Sequence, residues 1–199
     1  MKELMDNSGP YDPNRKFEDF SKEFLIKLLK AYMRAYLLVD GLWNTEMRNT
    51  GKLTDEDIIN CEIRVWKSLA NSVPPNIARL SNIQLPVKDV VEALKIWQIT
   101  PDSNINPDVY VAKIDIKDRN HVILSMLCCR SLEWFEEHAP ELIEPLCHDL
   151  DVATMKEYCR VAHPDMQCEA LKLPPRKTKD DIVCQWEIKL ETKEQGGAK

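Results

Sequence analysis

The residues best suited to chemistry fall into two groups. Between Cys128 and Trp186 the chain carries six of its seven cysteines. Within that stretch Cys159 and His163 stand at i and i+4, which on a helix sets a thiol and an imidazole on one face. An imidazole at that distance can draw a thiol toward its thiolate, so Cys–His nucleophilic chemistry is one reading. Pro164 follows His163 directly, and the alternative is an imidazole that caps a helix end. A transition-metal site, zinc or iron, built from Cys129, Cys159, His163 and Cys168 is a third reading. Its ligands would converge only through tertiary folding, because the chain has no closely spaced pair of cysteine knuckles. The plain alternative is that these cysteines are small buried hydrophobes.

The second group is acidic. Glu46 follows Val39, Leu42 and Trp43 at the spacing of an apolar helical stripe, and Glu62 falls between Ile58/Ile59 and Val65/Trp66. An acid on such a stripe is costly to bury unless it is paired. With Asp40 nearby, Glu46 and Glu62 on two successive antiparallel helices could line a polar pocket. They could then act as general base, hold a metal or grip a cation. The structural alternative pairs them with Arg34, Arg64 or Arg79. Trp43 and Trp66 suit a pocket wall or plain core equally.

The elements that must position these residues follow from periodicity. Ser21 is a helix cap, and Leu25, Leu28, Leu29, Tyr32, Ala35, Tyr36, Val39, Leu42, Trp43 and Met47 recur at three and four residues up to Gly51. Thr54 to Asp57 has the spacing of a capping box and opens a second helix. Ser72 before Pro74-Pro75 predicts a separate short helix over 76–80, and Val87 to Trp97 predicts another. Alternation then predicts strands over 109–116 and 121–128, helical character over 131–163 with breaks at Pro140 and near Asp149–Asp151, and strands over 168–173 and 182–190. The expected fold class is α+β: an N-terminal helical layer packed on a β-β-α-β-β half with an antiparallel sheet. The expected organisation is a flexible arm over 1–17, a helical region over 18–100, a cysteine-rich α+β region over 107–191 and a tail over 192–199.

Composition narrows the function. No apolar run approaches the ~20 residues that a membrane helix needs, and the first residues lack the apolar core of a signal peptide. A cytoplasmic protein with free thiols is expected, with no membrane partner. A net charge of −6 argues against nucleic acid, and the basic run Arg176-Lys177-Thr178-Lys179 before Asp180-Asp181 reads as a solvated loop. Five glycines leave little material for a phosphate-binding turn, and no nucleotide motif is present.

Asp40-Gly41-Leu42-Trp43 with Glu46, then Glu62-Ile63-Arg64-Val65-Trp66, Ala78-Arg79 and the terminal Cys184-Gln185-Trp186-Glu187-Ile188 resemble a family of prokaryotic cytosolic proteins. That family looks related to the L-2-amino-thiazoline-4-carboxylate hydrolases. The C-terminal half loosely resembles vinyl-reductase-type small-molecule-binding domains. The resemblance implies a small-molecule ligand, and in its enzymatic form water opening a C–N bond of a small heterocycle. This chain departs from the pattern at Ala170 to Pro175, where the family carries a Cys-x-x-Cys-Pro-Pro, so a metal or cluster held there is in doubt. The expected site has Glu62 and Glu46 as catalytic acids, with Asp40, Trp43, Trp66, Arg79, Cys129, Cys184 and Trp186 around the ligand. The runner-up is a thiol-based metal or redox sensor on Cys129, Cys159, His163 and Cys168. A homo-oligomer is left open.

Overall fold

Capping chemistry fixes where the helices begin. In the computed structural model, which describes residues 4–103, 107 and 109–191, helix α1 (Lys22–Asn49) starts at Ser21, whose hydroxyl accepts the Phe24 N–H at 3.2 Å. It ends before Gly51, whose φ of 61° is the left-handed conformation that glycine adopts at no steric cost. Helix α2 (Asp55–Leu80) opens with the expected capping box. Thr54 Oγ1 accepts the Asp57 N–H at 3.1 Å, and the Asp57 carboxylate accepts the Thr54 N–H at 3.0 Å.

The separate helix expected over 76–80 does not exist. Helix α2 continues through Pro74 and Pro75. Ala70, Pro74 and Ala78 recur every fourth residue and are all buried, so packing on one face outweighs the backbone hydrogen bonds that the prolines remove. Helix α3 (Val90–Trp97) begins three residues later than expected, at Asp89. That side chain accepts the Glu92 N–H at 2.8 Å and the Arg119 Nε–H at 2.7 Å, tying α3 to the turn at Arg119 and Asn120.

The sheet has the order β1-β2-β4-β3, with β1 (Tyr110–Asp118), β2 (His121–Cys129), β3 (Met166–Lys172) and β4 (Cys184–Leu190), and every neighbouring pair is antiparallel. The fold is therefore α+β, as expected. Between the hairpins lie α4 (Arg130–His138), a short 3₁₀ turn at Pro140, a π-helical segment (Pro145–Leu150) and α5 (Asp151–Ala162). Pro140 breaks the helix as expected. Near Asp149–Asp151 the chain does not break but changes from π to α winding.

The main core lies where α3 and α5 cover β2, β4 and β3, with Val90, Ile96, Val122, Cys159, Trp186 and Ile188 almost fully buried. A second cluster joins Ile59 of α2 to Leu142, Leu146 and Leu150. A third packs Leu132, Ile143 and Val183 under α4. Helix α1 leans on α2.

Two more expectations are corrected. Residues from Leu4 onward are not a free arm, because Leu4 bridges back to Phe20 and accepts the Ser21 N–H at 2.9 Å. Arg176 is not solvated either. Its side chain is 4% exposed and forks onto the Glu136 carboxylate of α4 at 2.7 and 2.8 Å. The tail over 192–199 lies outside the described residues. Among the described residues no helix is long and apolar enough to cross a membrane.

Candidate functional site

Antiparallel pairing brings the start of β1, the end of β2 and the start of β4 to one end of the sheet. Tyr110 stands opposite Cys129, and Met126 stands opposite Cys184. Cys129 is both the last residue of β2 and the cap of α4, where its sulfur accepts the Leu132 N–H at 3.4 Å. The π-helical segment delivers Cys147, and Asp151 follows one turn later at the start of α5. Widened turns of this kind are frequent at functional sites, since the extra residue re-aims side chains. Cys129, Cys147 and Cys184 all pack against the cluster of Leu132, Ile143 and Val183.

Asp151 is the centre of this arrangement. It is exposed at the start of α5, yet the protein packed around it pushes its carboxyl up to about 7. A carboxyl crowded by protein yet exposed to solvent stands at a concave part of the surface, a recess open to water. Its charge acts on all three thiols. Burial pushes Cys129 up to about 11, Cys184 up to about 12 and Cys147 higher still. At neutral pH these sulfurs are thiols, not thiolates.

Tyrosines extend the site toward the helical layer. Tyr110 is enclosed, its phenol held well above its ordinary pKa by burial, with the charges of Asp151 and Asp102 both acting on it. The Tyr158 hydroxyl of α5 donates to Asp102 Oδ2 at 3.0 Å, while Asp102 Oδ1 is buried without a partner among the described residues. Burial and the same Asp102 push Tyr36 of α1 up to about 12. Among the described residues, no basic side chain contributes to the charge balance at Asp151, Tyr110, Cys129, Cys147, Cys184 or Tyr158.

The two expected catalytic acids are not brought together. Glu62 is buried, but between α1 and α2, where Oε1 accepts from Asn44 Nδ2 at 2.6 Å. Asn44 in turn accepts from Arg48 Nε at 2.8 Å, and Arg48 Nη1 pairs with Asp55. Burial pushes the Glu62 carboxyl up while Asn44 pulls the other way, and Oε2 has no partner among the described residues. The partners are thus Asn44 and Arg48, not Arg34, Arg64 or Arg79. Glu46 is exposed, with Asn49 Nδ2 at 3.5 Å. Asp40 is half-buried beside the Trp66 indole, and burial raises its carboxyl.

Of the expected ligand-binding residues, Cys129 and Cys184 meet at the recess. Trp66 lies in the α1–α2 seam, edge-on to Tyr36. Trp43 is exposed, and so is Arg79, which bonds Asn76. Trp186 is buried in the main core under α3 and α5, its indole N–H donating to Cys184 Sγ at 3.3 Å.

The proposed metal ligands separate as well. Cys159 and Cys168 face each other in the main core, and their shared hydrogen bond and burial push the Cys159 thiol far up. His163 ends α5, its N–H bonding the Cys159 carbonyl at 2.9 Å and its Nδ1 accepting the Asp165 N–H at 3.1 Å. Cys129 belongs to the other cluster. Among the described residues no three His, Cys, Asp or Glu side chains are placed to hold a metal ion.

Sequence reasoning missed Cys147, Asp151, Tyr110, Tyr158 and Asp102 as site residues. The usable signal was Cys147 and Asp151 at i and i+4 where the helical period breaks. A separate open groove of about 920 Å³ runs between α2 and α5. Of its four acids, Asp55, Glu56, Asp149 and Glu157, two already have cationic partners: Asp55 pairs with Arg48, and Glu157 with Arg160, beside a hydrogen bond from Asn71.

The model of a family described as being of unknown function, DUF6125, matches residues 18–190. No curated protein matches the chain significantly.

Proposed function

The chain belongs to the DUF6125 family, and we propose that it is a small-molecule-binding protein whose recess takes a compact organic cation, an amidinium or a protonated heterocyclic amine. The observation that carries this reading is Asp151: an exposed carboxyl that the surrounding protein holds up to about 7, and on which no basic side chain acts among the described residues. Ionising an acid crowded by protein without a counter-ion is costly, and an entering cation supplies the missing charge. Asp102 Oδ1, without a partner among the described residues, and the Tyr110 phenol give the far side of the ligand hydrogen-bonding partners. Neutral thiols form soft, polarizable walls.

The hydrolytic form of this reading moves the general base from Glu62 or Glu46 to Asp151. A carboxyl half-ionised near pH 7 suits proton transfer in either direction. It would take a proton from water as the water oxygen bonds to the amidine carbon. It would return that proton to the leaving nitrogen as the C–N bond breaks. The resemblance to the thiazoline-carboxylate hydrolases supports this chemistry, although the acidic recess favours a cationic substrate over a carboxylated one.

The test compares benzamidinium and 2-aminothiazoline with benzoate and 2-amino-thiazoline-4-carboxylate in calorimetric titrations at pH 8. The cations should bind, roughly tenfold more weakly at pH 6 where Asp151 is protonated, and Asp151→Asn should remove the effect of pH. Preferential binding of the anions, or cation binding that survives Asp151→Asn unchanged, overturns the proposal.

A further inference from the structure

Helix α1 carries its apolar stripe on the outside. Of its 28 residues only Met33 and Asn44 are buried. Leu29, Tyr32, Val39, Leu42 and Trp43 are each more than half exposed, Trp43 at 67%. Val65 of α2 joins them, and an apolar groove of about 370 Å³ runs between the two helices past Tyr36, Val39 and Trp66. The stripe residues from Leu25 to Trp43 are uncharged, half-buried Asp40 lines the groove beside them, and Glu46 follows at the C-terminal end.

We propose that this face is where two copies of the chain pair, their α1 helices antiparallel across a two-fold axis near Ala35. The area fits. Six exposed large side chains, each offering on the order of 100 Å² of apolar surface, come to roughly 600 Å² per copy, the lower end of what a stable complex buries per partner. A continuous apolar patch of that size stands at the top of the range for a monomer's surface. Symmetry fits as well. A two-fold interface sets the same patch against itself, so a helix lying across the axis meets its copy antiparallel. Ala35, at the middle of the stripe, lets the helix backbones approach. Centred there, the pair sets Trp43 beside Leu28 and Val39 beside Tyr32 of the other copy. Glu46 then falls over the opening turn of the second α1, where the helix dipole favours an acid and Lys22 is exposed. The net charge of −6 disfavours an anionic lipid surface as the occupant.

Sedimentation velocity on the full chain tests this. At tens of micromolar the wild type should have twice the 23.1 kDa of one chain. Val39→Glu places a charge in the seam and should raise the dimer dissociation constant roughly a hundredfold or more. It should leave the far-ultraviolet circular dichroism unchanged, since Val39 is exposed within one chain. Ala35→Cys, oxidised in solution, should give a covalent dimer linked through position 35 of both copies, as read by peptide mapping. A monomeric wild type, a Val39→Glu dimer of unchanged affinity, or no linkage at position 35 overturns the proposal, and binding of monomer to anionic vesicles would name a lipid surface instead.

Discussion

The helical layer and the sheet end invert the usual distribution of polarity in opposite ways. In the α1–α2 layer a buried polar string, Glu62–Asn44–Arg48, forms the seam, and the greasy stripe of α1 looks outward. At the sheet end an apolar cluster of Leu132, Ile143 and Val183 backs a recess with an unneutralised acid. In the first region the acid has protein partners, Asn44 and through it Arg48, although Glu62 Oε2, Arg48 Nη2 and the Trp66 indole N–H have none among the described residues. In the second region the acid has no basic partner among the described residues. An acid with protein partners reads as structure, and an unneutralised acid crowded by protein reads as a place for something else to bind.

Substitution at two tryptophans should give the widest contrast. Trp186→Ala empties the main core and should cost about 3–5 kcal/mol in urea unfolding. Trp43→Ala should change the stability of the dilute monomer by about 0.5 kcal/mol or less. Equal losses at the two positions would mean that α1 is packed inward after all.

The next effect separates structural from binding acids. Asn44→Ala leaves the buried Glu62 without its donor and should cost about 1–3 kcal/mol. Because burial raises the Glu62 carboxyl, the loss should be largest at the alkaline side of its titration, where the acid is ionised, and smaller where it is protonated. A loss independent of pH would show that Glu62 stays protonated throughout.

Much of the architecture was legible in the sequence because it rests on local rules. Ser21 and the Thr54/Asp57 box marked helix starts correctly, and alternation found both hairpins. The proline pair failed as a stop signal because the buried run Ala70, Pro74 and Ala78 holds the helix together through tertiary contacts. The α1 stripe was correctly seen as one face, but periodicity reveals that a face is uniform, not which way it points. Glu46 seemed anomalous on a stripe assumed to be buried, and it is ordinary on one that is exposed. The recess was half legible. Cys129 and Cys184 were expected around a ligand held by Glu46 and Glu62, while Asp151 was read only as a helix interruption, because nothing in its neighbours along the chain shows that the ends of β1, β2 and β4 come together beside it.

A smaller effect checks the outer support of the sheet end. Arg176→Ala leaves Glu136 without its forked partner and should cost about 1–2 kcal/mol in thermal or urea unfolding, since the guanidinium is nearly buried. A change within the scatter of surface substitutions would return that loop to solvent.

The smallest effect is on stability at the recess itself. The folded pKa of Asp151 lies above its unfolded value, so the folded state holds the proton more tightly and loses stability as pH rises from about 4 to about 7. Asp151→Asn removes that loss. At pH 8 it should stabilise the protein by about 1 kcal/mol, a figure discounted because solvent reaches the carboxyl. At pH 4 wild type and variant should be nearly equal.

The most direct test is the titration of the Asp151 carboxyl itself, followed by carbon-detected NMR and assigned by its loss in Asp151→Asn. A midpoint near pH 7, moving down when benzamidinium is added, is the predicted result. A midpoint near 4, unmoved by the cation, would place Asp151 in open water and contradict the recess on which the function depends.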